Sequence, residues 1–336
     1  MRLLLISLLT SLLLTSCFKE DEKIPPYDRG DRITVKIEMT QTYKYQVFYS
    51  MAENSVVSSN DKKIWDLAFE SSANGSHILL NTTNFMMSAN TGETDPALVT
   101  SQTGWNMIYD PSSGNLDSTA VGNWMTINTN DTIFPGFVYV VNRGYDDLGN
   151  MLGWRKVVFD SLKGNTYHFR FGNLNSTELT SASITKETGK NFVYFSFVTP
   201  DEKISVEPAF NTYDLQFAQY TTLLFTNEGD PYPYLVTGVL LNRFETLVAF
   251  DSIHHFDSIS MDMASQLTFT KQNDRIGYTW KDVVGDVESG QVSYIVNPDW
   301  NYILRTQDGF YYKMRFIGFY NDLGEKGYPT FEYQKL

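Results

Sequence analysis

Cysteine is almost missing from this sequence: Cys17 is the only one in 336 residues. No intrachain disulfide can form, so a disulfide-stapled scaffold is excluded. Positive charge is also short, with 26 Lys and Arg against 39 Asp and Glu and a formal net charge of −13. Phosphate backbones and anionic headgroups repel such a chain, and no nucleic-acid partner is expected. The one long apolar run, Leu3 to Leu14, falls short of the roughly 20 residues that cross a bilayer as a helix. No long segment carries a 3.6-residue apolar period, and Gly and Pro punctuate the chain throughout, so helix should be scarce. The local signatures of catalysis are missing too: there is no G-x-S-x-G, H-E-x-x-H, P-loop or CxxC. The expectation is a protein that is not an enzyme. Two poised carboxylates are the one catalytic device that a sequence alone leaves open, since their separation is set by the fold.

What is present begins with an address. Arg2 and the apolar run lead into "LTSC", Leu14 to Cys17, which resembles the lipobox of bacterial lipoproteins. Residues 1–16 then read as a lipoprotein signal peptide, and Cys17 as the lipidated N-terminus of the mature chain. "FKEDEK" and "IPPYDRGD" follow, too charged and proline-rich to pack, so residues 17–32 read as a disordered tether. Acidic residues directly behind the cysteine resemble a surface-export signal. The expected location is the outer membrane, lipid-anchored and surface-exposed, with the membrane as a partner through the acyl chains.

The remainder, rich in aromatics with 21 Tyr and 23 Phe, predicts an all-β fold of antiparallel strands. It also repeats itself. "QVFYS" at 46–50 parallels "FVYFSF" at 192–197, and "IWDLAF" at 64–69 parallels "TYDLQF" at 212–217. "GNTYHFRF" at 164–171 parallels "GFYYKMRF" at 309–316, each led by a glycine turn and preceded by a similar strand at 154–159 and 300–305. Ordered repetition of several blocks predicts two tandem β-domains, residues 33–185 and 186–336. Alternation places Trp65, Leu67 and Phe69 on one face, as it does Tyr213, Leu215 and Phe217. It likewise groups Tyr167, Phe169 and Phe171, and Tyr312, Met314 and Phe316. In that register His168 stands opposite Lys313. Because lysine is seldom buried, both are expected to face solvent. His77, beside the "SSANGS" turn, reads as a hairpin residue. "YDDLGN" and "YNDLGE" read as solvated turns, since the longer spacing of a calcium loop is missing.

With those blocks in place, the chain resembles the HmuY-type haem-binding lipoproteins. The second half carries the resemblance best, through "YFSF", "YDLQF", "YLVTGVLLN", Trp280 and "YILRTQDGFYYKMRF" running into "GEKGYPTFEY". The first half carries it more loosely, through "VFYS", "IWDLAF", "HILLNT", Trp124, "FVYVVNRG" and "YHFRF". The resemblance implies a hemophore-like function in haem and iron acquisition, with haem as cofactor. Its implied partners are haem or a haem-carrying host protein, together with an outer-membrane uptake receptor. It also implies axial His or Met ligands, which donate nitrogen or sulfur to iron. In the second half the donors are in "HHFDSISMDM"; read as an extended segment, this puts His255, Met261 and Met263 on one side and His254 on the other. The stretch "KDVVGDVESG" that follows Trp280 holds neither His nor Met. In the first half Met107 and Met125 form the candidate pair, Met125 directly after Trp124. The rival reading is a glycan-binding or adhesive surface lipoprotein without haem, in which Trp105 and Trp124 would be exposed platforms.

Overall fold

Alternating apolar and polar residues between glycine and Asx turns dictate strands, and strands are what forms. The computed structural model describes residues 30–129, 131–286 and 291–336, of which Asp31–Leu336 pack as one unit. Residues 1–29, with Cys17 and most of the expected tether, lie outside the described residues. In the first part of the chain come β1 (Ile33–Lys36), β2 (Tyr45–Ser50), β3 (Ser55–Asp61), β4 (Leu67–Glu70), β5 (Ile78–Leu80) and β6 (Met87–Asn90). They are followed by β7 (Thr126–Ile127), β8 (Thr132–Ile133), β9 (Val138–Asn142), β10 (Trp154–Lys163), β11 (Thr166–Gly172) and β12 (Thr180–Thr185). Next are β13 (Phe192–Phe195), β14 (Leu215–Phe225), β15 (Pro231–Leu241), β16 (Leu247–Asp251), β17 (Lys281–Asp286) and β18 (Gln291–Val296). The last are β19 (Asn301–Arg305), β20 (Tyr311–Tyr320) and β21 (Lys326–Lys335). The all-β expectation holds; among the described residues the one α-helix is the single turn Met261–Ala264.

Two lobes are built alike. One pairs a β12-β11-β10-β9-β6 sheet with a β13-β4-β5 sheet; the other pairs β1-β21-β20-β19-β16 with β15-β14-β2-β3. Each lobe encloses an aromatic core. Phe69 stacks on Phe169 and Phe195 meets Phe169 edge-on in the first; Phe217 stacks on Phe331 and Tyr49 meets Phe331 edge-on in the second. Trp124 approaches Phe159 in one core, and Trp280 lies flat on Phe316 at 3.9 Å in the other.

The lobes exchange strands. β2 pairs with β14, with Tyr49 opposite Leu215, whereas β13 pairs with β4, with Phe195 opposite Leu67. β1 likewise closes the sheet of β21. The boundary expected at 185/186 therefore does not divide the packed units. Each Asp-bearing strand has an open edge, and the strand that satisfies it comes from the other half of the sequence. Where the lobes meet, Phe48 packs edge-on against Tyr213, and Trp65 against Tyr194. Trp65 and Tyr213 thus leave the faces of Leu67/Phe69 and Leu215/Phe217 to share this junction. They precede their strands, so the strand period does not govern them.

The hairpin comparison is also corrected. Lys313 on β20 donates its Nζ to the carbonyls of Phe256 and Ile259, and it is Lys156 on β10 that does the same to Pro96 and Val99. The counterpart of Lys313 is thus Lys156 and not His168, one strand away from the sequence register. Both lysines are buried, at 0% and 3% exposure, so the solvent-facing expectation fails for Lys313. Carbonyl partners replace the water that a buried ammonium loses. His168 itself is half-buried on β11.

Candidate functional site

Each lysine clamp fixes a loop against the outside of its sheet. In the second lobe the loop leaves β16 at Asp251, whose Oδ1 accepts the N–H groups of Ile253 and His254. Asn301 donates to the His254 carbonyl at 2.8 Å. A 3-10 turn, Phe256–Ser258, follows, then Ser260 caps the turn Met261–Ala264 by accepting from Met263 N–H. Phe256, Ile259 and Ala264 are buried, and Ile259 and Ala264 pack on Ala249, Ile303 and Leu336. The Phe256 ring also lies under the guanidinium groups of Arg32 and Arg315 and the ammonium of Lys313. The loop is held from within, and its remaining side chains face outward.

Those side chains include the donors expected from the sequence. His255 is exposed at the head of the 3-10 turn, and its ring makes no hydrogen bond or ion pair among the described residues. His254 is committed: its Nδ1 lies 2.7 Å from Asp251 Oδ2, and Asp251 is held below the ordinary carboxylate range by hydrogen bonds from His254 and Ile253 that outweigh its desolvation. Of the two rings His255 is the one left open, and not for the reason expected from the sequence. The segment is not extended; the two tight turns replace the alternation, burying Ile259 and leaving Met261 exposed and Met263 half-buried.

The first-lobe candidates stand differently. Met125 packs against the core that holds Trp124, and Met107 is half-buried beside Ile108, which bridges to Ser88 on β6. The clamped loop of this lobe offers no donor: Asp95 stands at the head of its 3-10 turn, where the other lobe has His255. Trp124 is a core residue donating Nε1–H to the Ser76 carbonyl, and Trp105 is partly buried beside Val99, Val138, Val140 and Val158. Neither is an open platform. His77 bridges its hairpin, with Nδ1 2.6 Å from Glu70 Oε2.

The cavities lie elsewhere. One of about 80 Å³ sits between the lobes, lined by Trp65, Tyr213, Glu207, Asp110 and Arg243. Burial pushes Asp110 up to about 6 and raises Glu207, which Tyr213, Tyr194 and Asn191 hydrogen-bond. It is far below the few hundred Å³ of a drug-sized ligand site. Three open clefts measure about 490, 490 and 530 Å³. None of the four is lined by a histidine or a methionine. Among the described residues no group of three or more His, Cys, Asp or Glu side chains could hold a bare metal ion, and no helix is long and apolar enough to cross a membrane.

The model of the HmuY family, described as "HmuY protein", matches residues 42–333, and the chain belongs to that family. The match spans both halves and the joint between them. At the level of the family this is a haem-binding, non-enzymatic class of protein. Solved structures to which the chain is similar include the apo HmuY analog TFO of Tannerella forsythia, at 11% identity and a TM-score of 0.26 over 92% of this chain and 98% of that one. Apo PinO from Porphyromonas gingivitis shows 9% identity and a TM-score of 0.27 over 91% and 98%. A putative HmuY_like heme binding protein from Bacteroides vulgatus shows 15% and 0.19 over 53% and 90%. Scores this low add nothing to the family match. No curated protein matches the chain.

Proposed function

We propose that this protein is a surface lipoprotein that holds haem on the clamped loop of its second lobe, for delivery to an outer-membrane uptake receptor. The observation that carries the reading is His255: an imidazole with no hydrogen-bond or ion-pair partner among the described residues, displayed on a loop that Lys313 fixes from beneath. Imidazole nitrogen is a strong haem ligand, and the thioether of Met261 or Met263, one or two turns along, is a second donor type suited to iron. The donor set fits the group in chemistry. His255 would supply the first axial nitrogen, Met261 or Met263 the second, and bound haem would supply the iron that the cell takes up. Met107 and Met125 belong to the first lobe and not to this loop, Met125 packing against its core and Met107 standing next to the Ile108–Ser88 bridge. The acylated Cys17 would anchor the protein in the outer membrane, and a haem-carrying host protein would be the source.

Ferric-haem titration of the purified protein tests the reading. A sharpened, shifted Soret band is expected in wild type and in Met107→Ala/Met125→Ala, and its loss in His255→Ala. Met261→Ala/Met263→Ala should keep a band with a changed ligand-field signature. No band in wild type defeats the haem reading, and an unchanged band in His255→Ala moves the site off this loop.

A further inference from the structure

One of the three open clefts contains something that the fold does not require. The cleft of about 490 Å³ formed by the turn that precedes β2, the β9–β10 turn and β15 has Lys62 in its wall. Lys62 is 2% exposed, and its ammonium makes one hydrogen bond, to Gln219 Oε1 at 2.7 Å. An ammonium has three donors, so two have no partner among the described residues. Burial brings its pKa down to about 8 against the opposing pull of Asp147, Asp146 and Asp61.

The other half of the chain shows what this position needs structurally. Asn81 Nδ2 donates to the Lys62 carbonyl, and Asn242 Nδ2 donates in the same way to the carbonyl of Phe210. Phe210 is therefore the counterpart of Lys62. It stacks on Phe244 with ring centroids 4.0 Å apart, in the wall of a second cleft of the same volume. An apolar side chain thus suffices at this point of the fold. Placing an ammonium there costs desolvation that Gln219 and the nearby aspartates offset only in part, since the pKa is still brought down, and that a polar ligand would offset further.

The rest of the cleft wall narrows the ligand class. Tyr145 and Tyr234 are 39% and 49% exposed, flat apolar faces with polar tips at the rim. Asp147 accepts from Thr42 Oγ1 at 2.8 Å and keeps lone pairs free for further donors. Asp146 and Asp147 are close enough to Lys62 to support its charge, and with Lys326 also in the wall the two carboxylates are balanced by two ammonium groups, so the cleft has no net charge to select a phosphate, sulfate or carboxylate ligand. A ligand that both accepts from an ammonium and donates to a carboxylate while lying on aromatic faces is a neutral, hydroxyl-rich ring. We propose that this cleft binds a neutral saccharide, its hydroxyls bridging Lys62 and Asp147 and its ring resting on Tyr145 and Tyr234. The site is separate from the His255 loop and stands independently of the haem reading.

Affinity electrophoresis of the full chain in detergent, in native gels containing amylopectin, yeast mannan or mixed-linkage β-glucan, tests it, with alginate as the polyanionic control. Retardation by at least one neutral polymer and none by alginate is expected. Lys62→Met and Tyr234→Ala should each weaken it by fivefold or more while leaving the ferric-haem titration unchanged. Phe210 indicates that Lys62→Met keeps its fold; were that variant to unfold, the exposed Tyr234 decides. No retardation by any of the three neutral polymers, retardation by alginate alone, or retardation indifferent to both variants overturns the proposal. A Soret change in these variants overturns it as well, because it would make the cleft the haem site.

Discussion

Asp66 and Asp214 occupy the same place in the two lobes, yet they are solvated by the protein in opposite ways. Each sits just before its central strand and accepts a backbone N–H from the chain end of the exchanged strand, Phe197 for Asp66 and Met51 for Asp214, at 2.7 and 2.8 Å. Each carbonyl in turn accepts from the asparagine that ends the next strand, Asn81 or Asn242. Asp66 then gains Arg143, with Nε 2.7 Å from Oδ1 and Nη2 3.3 Å from Oδ2. Among the described residues no arginine reaches Asp214, and burial pushes its carboxyl up to about 6. The shared backbone bonds are what the architecture needs; the ion pair is an addition made in one lobe. A carboxylate used for geometry is thus separable from a carboxylate used for charge.

Breaking the pair should have the largest effect. Arg143→Met leaves Asp66 charged, buried and unpaired, and a loss of roughly 3–5 kcal/mol is expected in urea unfolding at pH 7. Asp214→Asn keeps an oxygen for Met51 N–H and should stay within about 1 kcal/mol of wild type at pH 5. The sign of its pH dependence follows from a folded pKa above the unfolded one. The folded state holds the proton more tightly between about 4 and 6, so the contribution of Asp214 to stability is lost as pH rises through 6. Asp214→Asn should therefore gain on wild type from pH 5 to pH 7, and a flat difference would show that the two aspartates are less unlike than their surroundings.

The lysine clamps sharpen the comparison next. Lys156→Met and Lys313→Met each strip two buried carbonyls of a charged donor, for about 1.5–3 kcal/mol apiece. Only Lys313→Met should also weaken haem binding, since only its loop displays His255. Equal haem affinity in the two variants would separate loop rigidity from ligation. Lys62 provides a comparable but narrower test. Its folded pKa, about 8, lies below the unfolded value, so the unfolded chain binds more protons between 8 and 10.5 and stability rises with pH there. Lys62→Met should abolish that rise, on the order of 3 kcal/mol if the whole window is covered. The smallest effect belongs to His255→Ala, within about 0.5 kcal/mol in thermal unfolding, because the exposed ring touches nothing that the fold depends on.

The sequence carries the strands, the core faces and the correspondence of β2 with β13 and of β4 with β14, because buried aromatics at alternate positions cannot drift without opening a cavity. It carries neither the exchange of β2 and β13 between lobes nor the true partner of Lys313. Pairing is a long-range choice that local alternation does not encode, and a glycine turn between two alternating runs looks the same in every hairpin. That ambiguity slid the comparison of "YHFRF" with "YKMRF" by one strand. Lys156, Lys313 and Lys62 were invisible as buried groups because residue type alone assigns lysine to solvent. Asn81 and Asn242, which end β5 and β15 alike, were the legible signal that could have fixed the register. Of the candidate donors, His255, Met261 and Met263 stand within one short segment that the family resemblance singles out. Their presentation by two tight turns depends on Phe256 and Ile259 anchoring over Lys313, a contact 54 to 57 residues away in sequence.

β1 and β21 are the first and last strands described, and they lie side by side. During synthesis the N-terminal strands must wait for their partners, β2 until residue 217 and β1 until residue 333 have emerged. Neither lobe can close before more than half of the chain has been made, since the first needs β13 up to Phe195 and the second needs β21 up to Tyr333, so the two ends of the polypeptide lock together last.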